Sequence, residues 1–261
     1  MPGCNDSSGA AAGHFVQVED AVKEFGGLIA VDQARFSVAR GETIGILGSG
    51  GAGKTTLLRM IATMLKPTAG RILIDGHDSV LARSQVKQRI GYMPQRFGLY
   101  QDLTVEENFD FFMDIFAIRG AERRRRKERY LGFSHLLPFL NRPAGALSGG
   151  MKQKLGLACV LVHQPELLIL DEPTNGVDPV SRGEFWEILT QMKADGMTIL
   201  VATAYMDEGQ RCDRLILMHA GKVLDILPPA ALMVQGGSLE EAMIQRIEAA
   251  DPRLAEGSFA G

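Results

Sequence analysis

The sequence predicts an α/β fold, because short apolar stretches that favour strands alternate with stretches that favour helices along most of its 261 residues. Two observations support a parallel sheet within this fold. The stretch ELLIL (166–170) is almost entirely apolar, as expected of a short strand covered on both faces. The glycine-rich loop GSGGAGKTT (48–56) lies between an apolar stretch, ETIGIL, and a predicted helix, which gives a strand–loop–helix unit.

The N-terminal part of the chain is predicted to be rich in strands. The segments FVQVED, ARFSVAR and ETIGIL favour short strands, separated by breaks at Gly26-Gly27 and Arg40-Gly41. After the glycine-rich loop, a helix is predicted from Lys54 to Leu65, ending before Pro67. The segment RILIDG then forms a strand that ends in an Asp-Gly turn.

The middle of the chain, from Leu103 to about His163, is predicted to be rich in helices, and Thr104 with Glu107 suggests a capping box at the start of one of them. Beyond the strand ELLIL, Asp178-Pro179 offers an N-cap followed by proline at the first helical position. The last predicted elements are the strand TILVAT, the hairpin LILMHAGKVLDIL and a short helix, GSLEEAMIQRI.

We expect one domain over residues 14–247, with a helical subdomain at about 96–160 inserted into its core. Residues 1–13 and 248–261 are predicted to be loose tails. The only strong charge run, from Arg123 to Lys127, is interpreted as a solvated helix face, with a contact to a membrane partner or lipid headgroups as the alternative.

The composition and net charge limit the classes of function that are expected. A formal net charge of −3 gives no electrostatic reason to expect a nucleic-acid partner. The three widely spaced cysteines, Cys4, Cys159 and Cys212, match no metal or disulfide framework and suggest a reducing compartment. No apolar run approaches the roughly 18 residues of a membrane span, and the first residues do not resemble a secretory signal. If transport is involved, another segment or polypeptide must supply the pore.

The glycine-rich loop fits the phosphate-binding pattern Gly-x-x-x-x-Gly-Lys-Thr in its required strand–helix context. Its backbone N–H groups should surround the phosphates of a nucleotide, with Lys54 reaching the β- and γ-phosphates and the Thr55 hydroxyl binding Mg²⁺. The predicted nucleotide-binding residues of this loop are Gly48, Ser49, Gly50, Gly51, Ala52, Gly53, Lys54, Thr55 and Thr56.

A second predicted phosphate-binding turn is LSGGMKQ (147–153). A serine followed by two glycines at a helix N-terminus offers a hydroxyl and free N–H groups, where an anion is stabilised. We expect two copies to face each other, so that Ser148, Gly149 and Gly150 of each chain cap the nucleotide held by the other chain's loop.

The order of these motifs resembles the ATP-binding subunits of ABC transporters, from about Phe15 to Ile247. The segments LTVEENFDFF, LSGGMKQKLGLA, DEPTNGVDP and YMDEGQRCD are most similar to the branch that exports drugs and polymers. The resemblance implies a P-loop NTPase core of ABC type with an antiparallel β-subdomain and a helical subdomain. It also implies ATP and Mg²⁺ as the bound nucleotide and metal.

The resemblance assigns further site residues. Asp171, at the end of ELLIL, corresponds to the carboxylate that holds Mg²⁺, and Glu172 to the residue that polarises the attacking water. Gln95 corresponds to a glutamine that touches Mg²⁺ and joins the core to the helical subdomain. Phe25 is predicted to stack on adenine, with core packing as the alternative. Asp178 is predicted to touch the opposing subunit, with a helix N-cap as a compatible role.

One position departs from the family pattern. Relatives place a histidine that contacts the γ-phosphate after the strand TILVAT, whereas this chain has Ala204. Losing one such contact commonly costs roughly 100- to 1000-fold in rate. The other catalytic residues implied by the resemblance, Glu172, Lys54 and Gln95, remain. The chain is therefore expected to hydrolyse ATP slowly as a homodimer, or to pair with a different ATP-binding domain.

These observations predict the energy-coupling ATPase subunit of a membrane exporter, in the cytoplasm and held at the inner face of the membrane by an integral permease. Its other expected partner is a second ABC ATPase domain, from the same or a different chain. Two alternatives stay open: a regulatory module that binds ATP with little turnover, and a soluble ABC-type ATPase that acts on DNA or ribosomes.

Overall fold

The computed structural model describes residues 14–232 and 239–250. Ten strands are found in these ranges: β1 (His14–Phe25), β2 (Leu28–Ala39), β3 (Thr43–Leu47), β4 (Ala69–Ile74), β5 (His77–Asp78), β6 (Ile90–Met93), β7 (Leu167–Asp171), β8 (Thr198–Thr203), β9 (Arg214–His219) and β10 (Lys222–Leu227). The helices of the same ranges are α1 (Lys54–Ile61), α2 (Arg83–Arg89), α3 (Val105–Ile115), α4 (Gly120–Phe133), α5 (Gly149–Val160), α6 (Pro179–Ala194), α7 (Met206–Gly209), α8 (Pro229–Leu232) and α9 (Leu239–Ala250).

The core is a six-stranded sheet in the order β10-β9-β3-β8-β7-β6. Strands β9, β3, β8, β7 and β6 run parallel, and β10 pairs antiparallel with β9 as the second half of the predicted hairpin. Every residue of β3, β7 and β8 is buried, because helices pack on one face of the sheet and α1 with the antiparallel sheet packs on the other. The predicted α/β fold with a parallel sheet is confirmed.

A second sheet is antiparallel, in the order β2-β1-β4-β5. The prediction of short strands before Leu47 was wrong for the first two, since β1 and β2 each have 12 residues. They continue through several register shifts, which let a long strand bend instead of ending. Gly26 and Gly27 lie at the hairpin turn between them, both with positive φ, where glycine carries no steric penalty.

A helical lobe formed mainly by α3, α4 and the start of α5 lies between β6 and β7 in the chain. The predicted capping box is present: Thr104 Oγ1 accepts from Glu107 N at 3.2 Å, and the Glu107 carboxylate accepts from Thr104 N at 2.8 Å. Phe109 and Met113 of α3 belong to one hydrophobic core with residues of α5, α6 and the facing side of the parallel sheet. The lobe is therefore packed onto the core and not merely tethered to it.

The basic run of α4 is largely neutralised within the lobe. Arg123 pairs with Asp110 and Asp114, Arg126 with Glu122, and Lys127 with Glu106 at 2.7 Å. With Arg125 also paired to Glu122, four of the five cations of the run have an acidic partner. Within residues 14–232 and 239–250, no helix is both long enough and apolar enough to cross a bilayer.

The last helix extends further than the predicted terminal helix. α9 ends at Ala250, so residues 248–250 are helical, although the sequence pattern suggested that the tail begins at 248. The buried side chain of Leu239 and an ion pair between Arg246 and Asp225 attach this helix to the core. The remaining parts of the two predicted tails, residues 1–13 and 251–261, lie outside the described residues.

Candidate nucleotide site

The glycine-rich loop joins the carboxyl end of β3 to the N-terminus of α1. Gly53 caps α1 with φ of 99°, and a Cβ atom built there would lie 2.3 Å from the carbonyl oxygen of Ala30. A Cβ on Gly48 would lie 2.3 Å from the carbonyl oxygen of Met218. The loop is thus pressed against neighbouring backbone at both ends, which requires glycine at these two positions. Its free N–H groups at the start of α1 form an anion-binding concavity.

The side chain of Lys54 lies inside this loop. Its Nζ donates to the carbonyl oxygens of Gly48, at 2.7 Å, and Ser49, at 3.1 Å. The same nitrogen is 3.6 Å from Oε1 of Glu172. The Lys54 side chain is only 6% exposed, so its positive charge is held at the floor of the loop, close to any bound anion.

Thr55 and Asp171, two of the residues predicted to bind Mg²⁺, are in contact. Thr55 Oγ1 donates to Asp171 Oδ1 at 2.9 Å. Burial is the main cause that raises the pKa of Asp171, the nearby Glu172 carboxylate raises it further, and hydrogen bonds from Thr55 and Tyr92 oppose these effects. An incoming cation would favour the ionised form of this carboxylate.

Tyr92 was not identified from the sequence. Its hydroxyl lies 3.2 Å from Asp171 Oδ2, and burial raises the pKa of the phenol. Tyr92 is on β6, directly beside β7 in the parallel register that pairs Tyr92 with Ile169. No local sequence signal marks this contact, because it depends on which strand becomes the neighbour of β7.

Glu172 leaves the sheet in an unusual backbone conformation. Its φ is 50°, and its N–H donates to the carbonyl oxygen of Ala202 at 2.9 Å. Its Oε2 accepts from Nε2 of Gln95 at 2.9 Å. A left-handed conformation is strained at a residue other than glycine. Here this conformation directs the Glu172 carboxylate toward the glycine-rich loop.

These side chains converge on a cavity of about 180 Å³, lined by Ala30, Gly50, Gly51, Ala52, Gly53, Lys54, Thr55, Thr56 and Glu172. A much smaller space of about 10 Å³ also borders Glu172 and is lined by Thr174, Asn175, Thr203, Ala204 and Tyr205. Ala204 therefore lies close to Glu172, at the position where relatives are expected to carry histidine. The structure thus brings the predicted loop, Asp171, Glu172 and Gln95 together.

Phe25 lies at the end of β1, and its side chain is 45% exposed. This exposure contradicts the alternative that Phe25 packs in the core. Lys23 Nζ lies 5.0 Å from the centroid of the Phe25 ring, on one of its faces. The ring is available for stacking, as the sequence predicted, although the contact with adenine stays a prediction.

The second predicted phosphate-binding turn does not face this chain's own loop. Ser148 is the N-cap of α5, and its hydroxyl accepts from the backbone N–H of Met151 at 3.2 Å. Ser148 and Gly149 are exposed, whereas Gly150 packs against Ser181 of α6 so closely that a Cβ would meet Ser181 Cβ at 2.4 Å. None of the three lines the cavity beside the glycine-rich loop.

Asp178 is the N-cap of α6, as the sequence predicted. Its Oδ1 accepts from the N–H of Ser181 at 2.9 Å. This hydrogen bond lowers the pKa of Asp178, and the carboxylate is exposed. The exposed face remains open for a partner, so both roles predicted for this residue are compatible.

The protein family described as "ABC transporter" matches residues 31–175, which is more than half of the chain. The chain belongs to the ABC transporter family. As an ABC ATP-binding domain it belongs to a class that binds nucleotide, generally with Mg²⁺, and that in general hydrolyses ATP. ABC subunits of exporters pair with membrane permease components and dimerise.

The curated relatives extend this likeness over most of the domain. "Probable multidrug ABC transporter ATP-binding protein YbhF" of Escherichia coli (strain K12) is 46% identical over 196 residues, which are 75% of this chain and 34% of that protein. The chain thus spans about a third of that relative. "ABC transporter ATP-binding protein NatA" of Bacillus subtilis (strain 168) is 40% identical over 197 residues, covering 75% of this chain and 80% of NatA.

Solved structures agree with the fold. A structure described as the ATP-binding subunit of an ABC transporter superposes with a TM-score of 0.79 at 28% identity, covering 89% of this chain and 99% of that one. A dimeric ATP-binding cassette in a post-hydrolysis state, bound to ADP and Pi, gives a TM-score of 0.73 at 28% identity, covering 82% of this chain and 98% of that one. The predicted ABC-type core with its antiparallel β-subdomain and helical subdomain is confirmed.

Proposed function

We propose that this ABC domain binds Mg²⁺·ATP, dimerises around it and hydrolyses it to drive a membrane exporter. The observation that carries the proposal is the convergence of Lys54, the Thr55–Asp171 pair and the Gln95–Glu172 pair on one cavity at the carboxyl edge of the parallel sheet. Ligands of open α/β sheets bind at this edge. The names of the relatives, multidrug transport for YbhF and daunorubicin resistance for a further relative, favour export.

The donor set suits magnesium. Mg²⁺ prefers oxygen ligands and is commonly held by one or two carboxylates together with substrate phosphates. The Thr55 hydroxyl and the Asp171 carboxylate are already adjacent, and the side chain of Gln95 lies nearby on Glu172. We infer that these three residues hold Mg²⁺. When bound, it would neutralise charge on the transferring phosphoryl group.

The side chains of this domain then have separate roles in binding and hydrolysing ATP. Loop N–H groups and Lys54 hold the β- and γ-phosphates, and Phe25 stacks on adenine. Glu172 orients the attacking water and accepts its proton. Gln95 Nε2 donates to Oε2 of Glu172, and the side-chain oxygen of the same amide is the atom that would coordinate Mg²⁺.

The proposed dimer is based on the exposed LSGGMKQ turn. Ser148 and Gly149 present a hydroxyl and helix N-terminal N–H groups to solvent. We infer that these groups, with Gly150 and Asp178, complete the nucleotide site of an opposing ABC domain. Only a nucleotide with a γ-phosphate reaches both halves, so ATP favours the closed dimer and hydrolysis releases it.

An aromatic patch on the helical lobe is the proposed docking site for the integral permease. Tyr100 is 48% and Phe111 37% exposed, with ring centroids 4.8 Å apart. Phe97 and Phe112 continue the patch, with centroids 5.5 Å apart. Phe97 follows Gln95 by two residues, so the patch begins close in sequence to the proposed metal ligand. Attachment to a permease would hold the domain at the cytoplasmic face of the membrane.

Ala204 supports a second candidate, a module that closes on ATP but turns it over slowly. Alanine offers no hydrogen bond to the γ-phosphate, which commonly costs roughly 100- to 1000-fold in rate. A homodimer of this chain would hydrolyse ATP slowly. In a pair with an ABC domain that carries the histidine, this chain's LSGGMKQ turn would complete the nucleotide site of that partner.

The deciding experiment is Mg²⁺-dependent ATP hydrolysis by the purified chain and by its Ala204→His variant, with Ala204→Gln as the control for side-chain size. We expect measurable activity in the original and at least a tenfold increase with histidine only. A chain that binds ATP but hydrolyses none, even with histidine, would support the binding-only module. No ATP binding in any variant would contradict both candidates.

A further inference from the structure

A buried carboxylate close to the candidate site is not explained by any of the roles above. Glu208, in the short helix α7, is 1% exposed. One of its oxygens accepts from Thr174 Oγ1 at 2.6 Å, and the other accepts from Thr203 Oγ1 at 2.5 Å. Both hydroxyls are themselves buried, so the three side chains form a closed hydrogen-bonded group.

Thr174 and Thr203 both border the small space beside Glu172 and Ala204. Thr174 is two residues after Glu172, and Thr203 is the last residue of β8, directly before Ala204. Thr203 Oγ1 also accepts from the backbone N–H of Tyr205 at 3.0 Å. The Glu208 carboxylate therefore fixes the segment after Glu172 and the segment around Ala204 to one common point.

A buried carboxylate carries a desolvation cost that an apolar contact would not. Removing a carboxylate from water is unfavourable unless hydrogen bonds compensate for the lost hydration, and a well-packed apolar group often fills such a place at no loss. What a bidentate carboxylate adds is a defined distance and orientation between the two loops. Glu172 has a left-handed backbone conformation, which persists only when surrounding contacts hold it. A fixed distance between the two segments would provide such contacts.

We propose that Glu208 is a positioning residue for ATP hydrolysis: it holds the Thr174 and Thr203 loops so that Glu172 faces the γ-phosphate. This inference rests on the proposed ATPase function. Through Thr203, Glu208 also fixes the backbone around Ala204, since the N–H of Tyr205 donates to the same hydroxyl that donates to Glu208.

The test compares Glu208→Gln, Thr174→Val and Thr203→Val with Thr174→Ser and Thr203→Ser, which keep the hydroxyl. Ser134→Ala is the matched control, since Ser134 is a buried hydroxyl in the helical lobe that donates to the carbonyl oxygen of Tyr130 at 2.7 Å. For each variant kcat, KM for ATP, affinity for ADP and Tm are measured. Amide hydrogen exchange over residues 172–176 and 203–206 is measured without nucleotide.

We expect kcat to fall about 10- to 100-fold in the glutamine and valine variants, because misplacing a reacting group by about 1 Å has an effect of that size. KM and ADP affinity should change less than about twofold, since the glycine-rich loop is untouched. The serine variants should recover most of the activity. Exchange should accelerate in both segments of Glu208→Gln, and the Ser134→Ala control should alter neither kcat nor exchange there.

Three results would overturn the proposal: kcat losses that follow Tm equally in the site and control variants, valine and serine variants that behave alike, or unchanged exchange in Glu208→Gln. A wild-type chain that binds ATP but does not hydrolyse it would refute the proposed ATPase function and not this arrangement. The exchange measurement would still decide whether Glu208 fixes the two loops.

Discussion

The side-chain amide of Gln95 donates to the carboxylate of Glu172, with 2.9 Å between Nε2 and Oε2. Gln95 follows β6 and precedes the helical lobe, whereas Glu172 follows β7 in the core. A single hydrogen bond thus joins the segment that leads to the proposed docking patch with the proposed catalytic base. The contact couples the position of the proposed base to that of the segment that enters the helical lobe.

The first prediction concerns Glu172. Glu172→Gln should lower kcat by at least about 100-fold, because an amide cannot accept the proton of the attacking water. ATP affinity should stay within a few-fold, and the variant should form a dimer that persists with ATP, detectable by size-exclusion chromatography. Glu187→Gln, an exposed glutamate on α6, is the matched control and should behave as wild type. Retained turnover in Glu172→Gln would contradict the assignment of the base.

The second prediction concerns Lys54. Lys54→Ala removes the charge at the floor of the loop and two hydrogen bonds to loop carbonyls. We expect ATP to bind about 10- to 100-fold more weakly, since a hydrogen bond to a charged group contributes about 1.5–3 kcal/mol. Titration with a fluorescent ATP analogue measures this. Lys66→Ala changes an exposed lysine that lies five residues after the end of α1, and it should leave the affinity for ATP unchanged.

The third prediction separates packing from partner recognition in the LSGGMKQ turn. Gly150→Ala should destabilise the fold by about 1–3 kcal/mol, because its Cβ would overlap with Ser181. Gly149→Ala meets nothing within 4 Å and should leave Tm unchanged or slightly raised. It should nevertheless weaken ATP-dependent dimerisation, since the new methyl group occupies the face presented to the partner. Normal dimerisation of Gly149→Ala would contradict the proposed use of this surface.

The fourth prediction is a pH dependence of stability at His163. Its ring stacks on Phe116 at 4.3 Å, its Nε2 lies 3.0 Å from the carbonyl oxygen of Ile90, and burial is the main cause that lowers its pKa, with Arg126 adding to the effect. The unfolded chain therefore binds a proton at a higher pH than the folded chain does. Stability is complete above the unfolded value of about 6.5 and is lost as the pH falls toward the lower folded value.

His163→Gln keeps a donor for Ile90 but cannot be protonated. Between about pH 7 and pH 5, its free energy of unfolding should change less than that of the wild type, by on the order of 1 kcal/mol for each unit of the pKa difference. Urea unfolding at a series of pH values measures both slopes. Equal slopes in the two proteins would show that His163 does not titrate in this range.

The local parts of the candidate site could be predicted from the sequence. The glycine-rich loop, the Thr104 capping box and the Asp178 N-cap each depend on residues within a few positions of one another, and the structure contains all three features. Their geometry follows from backbone hydrogen bonding near helix ends, which short sequence patterns encode directly.

Contacts that depend on strand order could not be predicted in this way. Tyr92 reaches Asp171 only because β6 is placed beside β7, and Glu208 reaches Thr174 only because the loops after β7 and β8 are neighbours. A pattern of alternating strands and helices does not specify this order. The long strands β1 and β2 were missed for a related reason, since the register shifts that sustain them are set by pairing and not by composition.

The glycines of the phosphate-binding loop differ in how much change they would tolerate. A side chain at Gly48 or Gly53 would collide with backbone, whereas Gly50 has nothing within 4 Å and an ordinary negative φ. Gly50 would meet no neighbouring atom of the chain if it carried a Cβ, but it lines the cavity proposed for the phosphates. Tolerance to substitution is therefore limited at Gly48 and Gly53 by the chain itself, and at Gly50 by the ligand that the cavity would hold.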